Sequence, residues 1–449
     1  MIDKYYNGVI EQVVSGIGNV EHNSILVRYS NDFSIWDLES VNHYKDQSDI
    51  FFTCHEFSYN KIAEAYEPYL GLIRQMFHRY CSGTLEEFME ECDVYKLQRP
   101  VFESYFEKGF CERTEQILID EVEYEQERMR NSIVTMLQKL SEIRPVVIVL
   151  NRFQLASKST MQLTNRLLQT KNKNIGIVLG VNDVQSIPEF AHEEWDAICE
   201  SMDDRNMVYH IGNAGRNMEP DVMDYYSDYE SDDGYRKLNN LVYFLDFDQA
   251  DHHLSKIERR IKFDNFTISE KKHYQLLLLQ IMVSVLQRDI AKALESCEDL
   301  EKLQDQEKEG AFYYNFWMAT SYMYLGKLEE AMIYVQKAKE CGEALGDDFL
   351  VFRAELLKAQ NQMSGWCNIF FCAQDIEISD KLIEKLNAYH YKNHLAHIYI
   401  YAYDNKPEIV AKAYRSEAFL IYFSKGVALA KEIGNEQLIS IAYRKNIMI

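Results

Sequence analysis

An uninterrupted apolar run, Val146-Val147-Ile148-Val149-Leu150, is the feature that most constrains the fold of this chain. A strand with apolar residues on both faces belongs in a sheet that is covered on both sides. Similar runs alternate with helical stretches in the first half of the chain, which is the pattern of an α/β domain with a parallel sheet. These runs cover residues 24–28, 50–54, 175–180 and 207–210.

A long insertion of helix-forming residues, 61–140, separates the second run from the central one. Its acid-rich part, residues 121–127, places Glu at every second position. Charge at this density is typical of a helix face in solvent. We therefore expect these glutamates to be solvated.

Beyond about residue 240 the sequence is helical throughout, and a unit of two helices repeats. A helix over residues 316–324, a turn at Gly326 and a second helix form one helical hairpin. The sequence of residues 333–338 resembles that of residues 421–426. Each stretch is followed by a glycine at the same distance, Gly346 after the first and Gly434 after the second. Such a repeat predicts stacked hairpins.

Residues 213–237 break both patterns, because Gly215, Pro220 and Gly234 surround a dense acidic tract. This composition predicts a mobile acidic linker. The chain then divides into an α/β domain at 1–212, the linker at 213–237 and helical repeats at 238–449.

The alternation of Asp228, Glu230 and Asp232 in that tract was weighed as a calcium-binding EF-hand loop. Gly is missing at the sixth position, and Asn239 stands where the bidentate Glu belongs. A solvated acidic loop is the better interpretation.

Net charge limits the choice of partner. The 48 Lys and Arg residues against 71 Asp and Glu residues give −23, a field that repels nucleic acids and anionic membrane surfaces. No apolar run reaches the roughly 18 residues that span a bilayer. We expect a cytoplasmic protein that binds other proteins, with neither nucleic acid nor membrane as partner.

Cysteine and histidine spacings offer two weak metal motifs. Cys367 and Cys372 have a spacing used by zinc sites, but no second pair completes four ligands. His390, His394 and His397 recur at helical spacing, again without a fourth ligand. We expect no metal and interpret the cysteines as reduced residues of the core and the histidines as an ordinary polar helix face.

The helical half resembles tetratricopeptide repeats. Ala319 matches the small residue of the first helix, Tyr322 its aromatic residue, Gly326 the turn, and Ala331 and Ala338 the small residues of the second helix. Small residues let two helices approach closely. A weaker copy of the pattern consists of Arg288, Ile290, Ala293 and Leu300.

The first half resembles the STAND-type ATPase modules that precede helical repeats in bacterial regulators and some nucleotide cyclases. The run 146–150 continues as Asn151-Arg152-Phe153-Gln154-Leu155-Ala156-Ser157-Lys158-Ser159-Thr160, where the family has two acids and then Ala-Asp-x-Ser-Thr. The strand at residues 177–181 ends in Asn182, where the family carries a sensor Arg. The resemblance implies a P-loop-like parallel sheet.

The residues of ATP chemistry are missing from that frame. A phosphate-binding loop needs Gly, Lys and Ser or Thr, whereas residues 25–37 contain neither Gly nor Lys. Asn151 and Arg152 replace the acids that hold magnesium and activate water. We expect no ATPase activity, no cofactor and no catalytic residue, with Arg28, Ser34, Asn151, Arg152 and Asn182 as the degenerate positions.

These features predict a non-catalytic signalling or scaffold protein, with a pseudo-ATPase domain and repeats that bind a protein or peptide. Tyr313, Trp317 and Tyr324 are candidates for the partner groove. A nucleotide-responsive switch, or the sensory part of a transcription regulator or cyclase, remains an alternative. Because Ile449 falls about where another repeat would continue, a homo-oligomer is also open.

Overall fold

A computed structural model describes most of the chain: residues 2–19, 23–29, 34–45, 49–58, 61–113, 115–182, 187–203, 208–211, 231–263, 266–364, 380–401 and 417–447. These residues form two compact units. The first unit comprises Met1–Val94, Val101–Cys111 and Glu125–His253, and the second comprises Tyr95–Pro100, Glu112–Tyr124 and Leu254–Ile449.

The first unit contains a five-stranded sheet in the order β2-β3-β4-β1-β5, and every pairing is parallel. The strands are β1 (Ser24–Tyr29), β2 (Phe51–Glu56), β3 (Val146–Asn151), β4 (Ile175–Asn182) and β5 (Val208–Ile211). The predicted parallel α/β architecture is confirmed. All residues of β3 and β4 are buried, as expected for strands covered on both faces.

Helices surround this sheet and fill the long insertion. They are α1 (Ile2–Gly16), α2 (Glu39–Lys45), α3 (Tyr69–Tyr80), α4 (Leu85–Glu91), α5 (Arg99–Lys108), α6 (Val122–Ile143), α7 (Lys158–Thr170), α8 (His192–Asp203) and α9 (Asp232–Tyr243). Local sequence signals fix several starts. Thr84 and Glu87 form a reciprocal capping box at α4, and the Ser157 side chain caps α7.

The acid-rich stretch 121–127 is not uniformly solvated, so that expectation was wrong. Glu121 is 2% exposed and Glu125 is 0% exposed, whereas Glu123 and Glu127 face solvent. Glu121 is buried because histidine and asparagine side chains of the second unit surround its carboxylate. Charge density along a sequence does not reveal which charges will find partners.

The end of the expected linker is also different. Residues 212–230, with the acidic tract up to Glu230, lie outside the described residues, but α9 already begins at Asp232 with Ser231 as its cap. Asn239 and Asn240 of α9 hydrogen-bond the backbone of Cys111, and Asp246 accepts from the Ser159 backbone. These buried bonds place residues up to His253 in the first unit rather than in the repeats.

The helical half forms hairpins, as predicted. Its helices are α10 (Phe247–Phe263), α11 (Glu270–Leu286), α12 (Ile290–Glu301), α13 (Gly310–Tyr324), α14 (Leu328–Leu345), α15 (Asp348–Ser364), α16 (Asp380–Ala388), α17 (Lys392–Tyr401), α18 (Glu417–Ile433) and α19 (Glu436–Ile447). Ala319 on α13 and Ala331 and Ala338 on α14 are fully buried, which confirms the small positions of the repeat. In the weaker copy, Ala293 is likewise fully buried.

Glycines mark the repeated turns. Gly326 joins α13 to α14 at φ +72°, a left-handed conformation that glycine adopts without steric cost. Gly346 ends α14 at φ +67°, and Gly434 ends α18 at φ +76°, so the two helices that repeat in sequence also end alike.

The histidine prediction needs correction. His390 lies in the turn before α17 at φ +60°, while His394 and His397 lie on α17 and bind glutamates instead of facing solvent. The described residues contain no group of His, Cys, Asp and Glu arranged to hold a metal ion. Cys367 and Cys372 lie outside the described residues. Among the helices that the structure describes, none has the length and apolarity to cross a membrane.

We predict that Ala331→Leu overpacks the α13–α14 hairpin and lowers the free energy of unfolding by about 1 to 3 kcal/mol. Ala331 has no exposed surface and lies in one core cluster with Ala319 and Phe316, so a larger side chain has no room. Glu330→Gln is the matched control, since Glu330 is exposed and its change is expected to stay within about 0.5 kcal/mol. Urea unfolding of the full chain measures both, and equal small effects would contradict the packing.

Candidate functional site

The carboxyl ends of the parallel strands form the edge where ligands bind in folds of this kind. β1 and β4 are neighbours in the sheet, and the strands that follow them in sequence, β2 and β5, lie on opposite sides of this pair. Open α/β sheets bind ligands at such a point. Asn151 and Asn182 end two of these strands, and Arg152 and Ser34 follow strand ends. Residues 30–33, which follow β1, lie outside the described residues.

Asn151 ends β3, at the position where the resemblance to STAND-type ATPases leads us to expect a magnesium-binding acid. Its side chain is completely buried, and its Oδ1 accepts a hydrogen bond from the Tyr29 hydroxyl over 2.8 Å. Gly180 on β4 makes room beside it, because a Cβ at Gly180 would collide with the Tyr6 hydroxyl and with Asn151 Oδ1. Burial, together with the neighbouring Tyr29, raises the pKa of Tyr6 well above its usual value. The amide therefore lies among neutral hydroxyl groups.

Arg152 follows Asn151, at the position where the same resemblance leads us to expect an acid that activates water, and it forms an ion pair. Its Nη1 lies 2.9 Å from Glu56 Oε1, with side chains 17% and 10% exposed. The second carboxylate oxygen of Glu56 accepts from the Ser34 hydroxyl and from the Ile35 backbone, each over 3.1 Å. Glu56 thus joins the end of β2 to Arg152 and to the segment that follows residues 30–33.

Arg152 also has an uncommon backbone conformation, with φ 53° in the left-handed region. A residue with a Cβ adopts this region at a cost of roughly 1 kcal/mol or more. The ion pair with Glu56 is one contact that offsets this cost. Sequence reasoning identified Arg152 and Ser34 but did not single out Glu56, the residue that brings them together. Its position at the end of a strand was the available signal.

The other two degenerate positions lie apart from this ion pair. Arg28 Nη2 donates to Cys199 Sγ over 3.2 Å, and its guanidinium lies 5.8 Å from the centre of the Trp195 ring. Asn182 is buried, and its backbone N–H donates to Gln154 Oε1 over 3.3 Å. Both residues are engaged by elements of the first unit itself.

These residues do not fit a magnesium ion bound to a phosphate. Magnesium prefers several carboxylate and water oxygens, and a phosphate needs convergent donors. Asn151 Oδ1 already accepts from Tyr29, and the cation of Arg152 is neutralised by Glu56. The described part of this edge therefore offers a closed set of internal bonds.

A second titratable cluster follows β2 and was missed by the sequence analysis. His55 Nε2 lies 3.5 Å from Glu67 Oε1, and Glu64 Oε2 accepts from the Asn240 amide over 3.3 Å. Burial raises the pKa of Glu64 to about 7, and the nearby charge of Glu67 adds to this rise. Burial also lowers the pKa of His55 to about 4. Their proximity could not be inferred from the sequence, because it depends on the fold.

The three residues proposed for a partner groove differ in accessibility. Trp317 is 7% exposed within the core of the hairpins, so its ring cannot contact a partner and that assignment is corrected. Tyr313 is half-buried, with the Arg353 guanidinium 5.5 Å from its ring centre. Tyr324 is 38% exposed at the end of α13. Helical periodicity placed the three on one face without distinguishing core from surface.

Comparison with known proteins gives one structural likeness. No family model matches the sequence, and no curated protein sequence matches it. A crystal structure of a Signal Transduction ATPase with Numerous Domains (STAND) protein with a tetratricopeptide repeat sensor, from Pyrococcus horikoshii, aligns at a TM-score of 0.40 and 13% identity over 96% of this chain and 78% of that chain. The fold assignment itself comes from the parallel sheet and the helical hairpins described above.

We predict that Arg152→Ala lowers the free energy of unfolding by about 2 to 3 kcal/mol, because it leaves the largely buried Glu56 carboxylate without its cation. Arg166→Ala is the control, since Arg166 is 48% exposed and pairs with Glu127 over 3.6 Å. Exposed pairs contribute less than about 1 kcal/mol. Urea unfolding measures both variants, and equal losses would show that the ion pair does not hold this edge together.

We predict that the stability of the protein depends on pH through Glu64, a member of the second titratable cluster with His55 and Glu67. Because its folded pKa of about 7 lies above the ordinary value of 4.5, folding disfavours the charged form. Stability then falls as pH rises from about 4.5 to about 7 and stays low above that range. Glu64→Gln removes this fall and stabilises the protein at pH 8 by up to about 3 kcal/mol.

Glu107→Gln is the control for this pH experiment, because Glu107 is an exposed glutamate on α5. The measurement is the urea midpoint of wild type and both variants between pH 4 and pH 8. If wild type and Glu64→Gln give parallel pH profiles, Glu64 does not titrate in the folded protein as described.

Proposed function

We propose that this chain is a non-catalytic signalling or scaffold protein, in which the α/β unit is a nucleotide-independent module and the helical repeats bind another protein. The observation that carries the proposal is the group formed by Glu56 with Arg152, Ser34 and Ile35 at the edge of the sheet, here called the Glu56 cluster. There, the residue in the position of the water-activating acid is a cation, Arg152, and it is held in an internal ion pair.

Charge supports the same conclusion. Polyphosphates need positive groups at the end of the sheet, yet the two arginines of this edge are engaged by Glu56, Cys199 and Trp195. The net charge of −23 adds a general repulsion for anions. A sheet edge closed by its own side chains serves as a rigid scaffold.

The repeats provide the surface for a protein partner. Stacked helical hairpins expose long faces for recognition, and several large apolar side chains of the second unit are exposed. Examples are Leu325, Ile333, Ile421 and Tyr443, which are between 46% and 57% exposed. Large exposed apolar side chains are a feature of interaction surfaces when they cluster.

We predict that the purified protein shows no magnesium-dependent hydrolysis of ATP or GTP and no thermal stabilisation by either nucleotide. A ligand at one hundred times its Kd adds about 2.7 kcal/mol of stability, which raises the Tm of a domain of this size by about 5 °C or more. The measurements are phosphate release and a melting curve with and without magnesium nucleotide.

Arg152→Ala and a heat-denatured sample complete the nucleotide experiment. Hydrolysis that wild type shows and Arg152→Ala loses would refute the proposal. A nucleotide-dependent rise in Tm without hydrolysis would favour the alternative, a nucleotide-responsive switch. A protein captured by the full chain from its native lysate, and identified as a cyclase or DNA-binding subunit, would favour the sensory part of a regulator.

A further inference from the structure

One segment of the second unit comes from an unexpected part of the sequence. Residues 112–124, here called the strap, lie between two stretches of the first unit in the sequence but belong to the second unit. The strap carries five acidic residues and a single basic residue, Arg113. Residue 114 lies outside the described residues.

The first contact of the strap is a carboxylate at the start of a helix. Glu115 Oε1 accepts from the His394 backbone N–H over 2.8 Å, and it lies 2.7 Å from His394 Nδ1. His394 is in the first turn of α17, where backbone N–H groups and the helix dipole favour an anion. Both side chains are buried, at 8% and 2% exposure.

The second contact binds the other carboxylate six residues further on. Glu121 Oε1 lies 2.8 Å from His397 Nε2 and accepts from the Asn435 amide over 2.8 Å. Glu121 Oε2 accepts from the Asn393 amide over 2.6 Å. Burial alone would raise the pKa of Glu121, but His397 and the two amides together hold this pKa down at about 2. The carboxylate is therefore bound as an anion.

Two of the donors that bind these carboxylates, Asn393 and Asn435, also form hydrogen bonds within the repeats. The Asn435 amide also donates to Asn393 Oδ1 over 2.9 Å, and Asn435 Oδ1 caps α19 by accepting from the Leu438 backbone. We call Asn393, His394, His397 and Asn435 the carboxylate receptor. These four residues lie on α17 and at the start of α19, so they belong to the repeats in sequence.

The strap also lies beside Tyr324, a residue that the sequence predicted for partner binding and that is 38% exposed. The backbone of Ile119, which is buried, is close enough to the Tyr324 hydroxyl to affect the pKa of that group. Tyr124 at the end of the strap donates to the Gly434 carbonyl over 3.0 Å and accepts from the Glu436 backbone over 3.1 Å. Asp120 forms an exposed pair with Arg288.

The chemistry of this contact is that of peptide recognition. Burying charges is costly, and replacing a buried ion pair by apolar side chains of the same volume often costs no stability, so stability alone does not account for these carboxylates. The pairing is also incomplete, because Glu115 Oε2 and His394 Nε2 are buried and have no hydrogen-bond partner among the residues that the structure describes. An acidic segment with two carboxylates at this spacing, and an apolar residue between them, fits the receptor.

We propose that the carboxylate receptor is the docking site for an acidic peptide segment of a protein partner, and that the strap occupies it as an autoinhibitory internal ligand. The inference rests on the proposed function and names the chemistry of its partner. A tethered segment acts at an effective concentration in the millimolar range, so a partner must compete with the strap.

The test uses a fluorescent peptide with the sequence of residues 112–124 and the full chain. We expect weak binding to wild type and at least tenfold tighter binding to Glu115→Gln/Glu121→Gln, in which the strap holds the receptor less firmly. The matched control is Glu112→Gln/Glu123→Gln, which changes the exposed acids of the same segment and should behave like wild type. Adding His397→Ala to the first variant should abolish the gain.

Specificity is checked with a second peptide that carries Gln at the two positions equivalent to 115 and 121, which should not bind. Equal binding of the acidic peptide to wild type and to Glu115→Gln/Glu121→Gln would overturn the autoinhibition. No binding to either, or equal binding of both peptides, would overturn the docking site.

Hydrogen exchange keeps the proposal testable if that double variant does not fold. Peptide at about 1 mM, near the effective concentration of a tethered segment, should speed exchange of the strap amides in wild type. Unchanged exchange with bound peptide would place the peptide elsewhere and overturn the proposal. None of these measurements uses a nucleotide. A negative result here would therefore count against the docking site and not against the proposed function, which the nucleotide experiment tests.

Discussion

Complete burial of the central strands is the constraint on which the first unit depends. β3 and β4 have no face in water, so their side chains must be apolar along almost their whole length. Polar chemistry is then confined to the strand ends, where Asn151 and Asn182 are the last residues. A buried polar side chain at such a position needs a hydrogen-bond partner inside the protein. The Tyr29 hydroxyl is that partner for Asn151.

The ion pair of Glu56 and Arg152 connects several elements at one edge of the sheet. An acid in place of Arg152 would lie close to Glu56, and two carboxylates at this distance repel each other. With Arg152 at this position, the two side chains form an ion pair over 2.9 Å. Glu56 also accepts hydrogen bonds from the Ser34 hydroxyl and the Ile35 backbone. An acid at position 152 would therefore disturb three elements of this edge. Glu56, Arg152 and Ser34 form a mutually dependent set.

The sequence predicts the elements of this protein better than its polar contacts. Apolar runs predicted the positions of the five strands, and small residues such as Ala331 predicted the packed side of a hairpin. Both patterns could be recognised because they depend on residues that are close in sequence. Glu121 and His397 are 276 residues apart, and no periodicity in either segment indicates the other. For the same reason Glu121 was expected in solvent, and His394 and His397 were interpreted as a polar surface.

The strap controls access through an equilibrium between closed and open receptor. If it held the receptor closed 99% of the time, a partner's apparent affinity would be about 100-fold weaker than its affinity for the open receptor. A partner can recover part of this loss by contacts outside the receptor, and Tyr324 lies beside Ile119 where such contacts would begin. The incomplete pairing of Glu115 and His394 favours opening, since a less than optimal internal ligand is easier to displace. Selectivity then follows from chemistry, because neutralising either carboxylate of a competing segment leaves buried receptor groups unpaired.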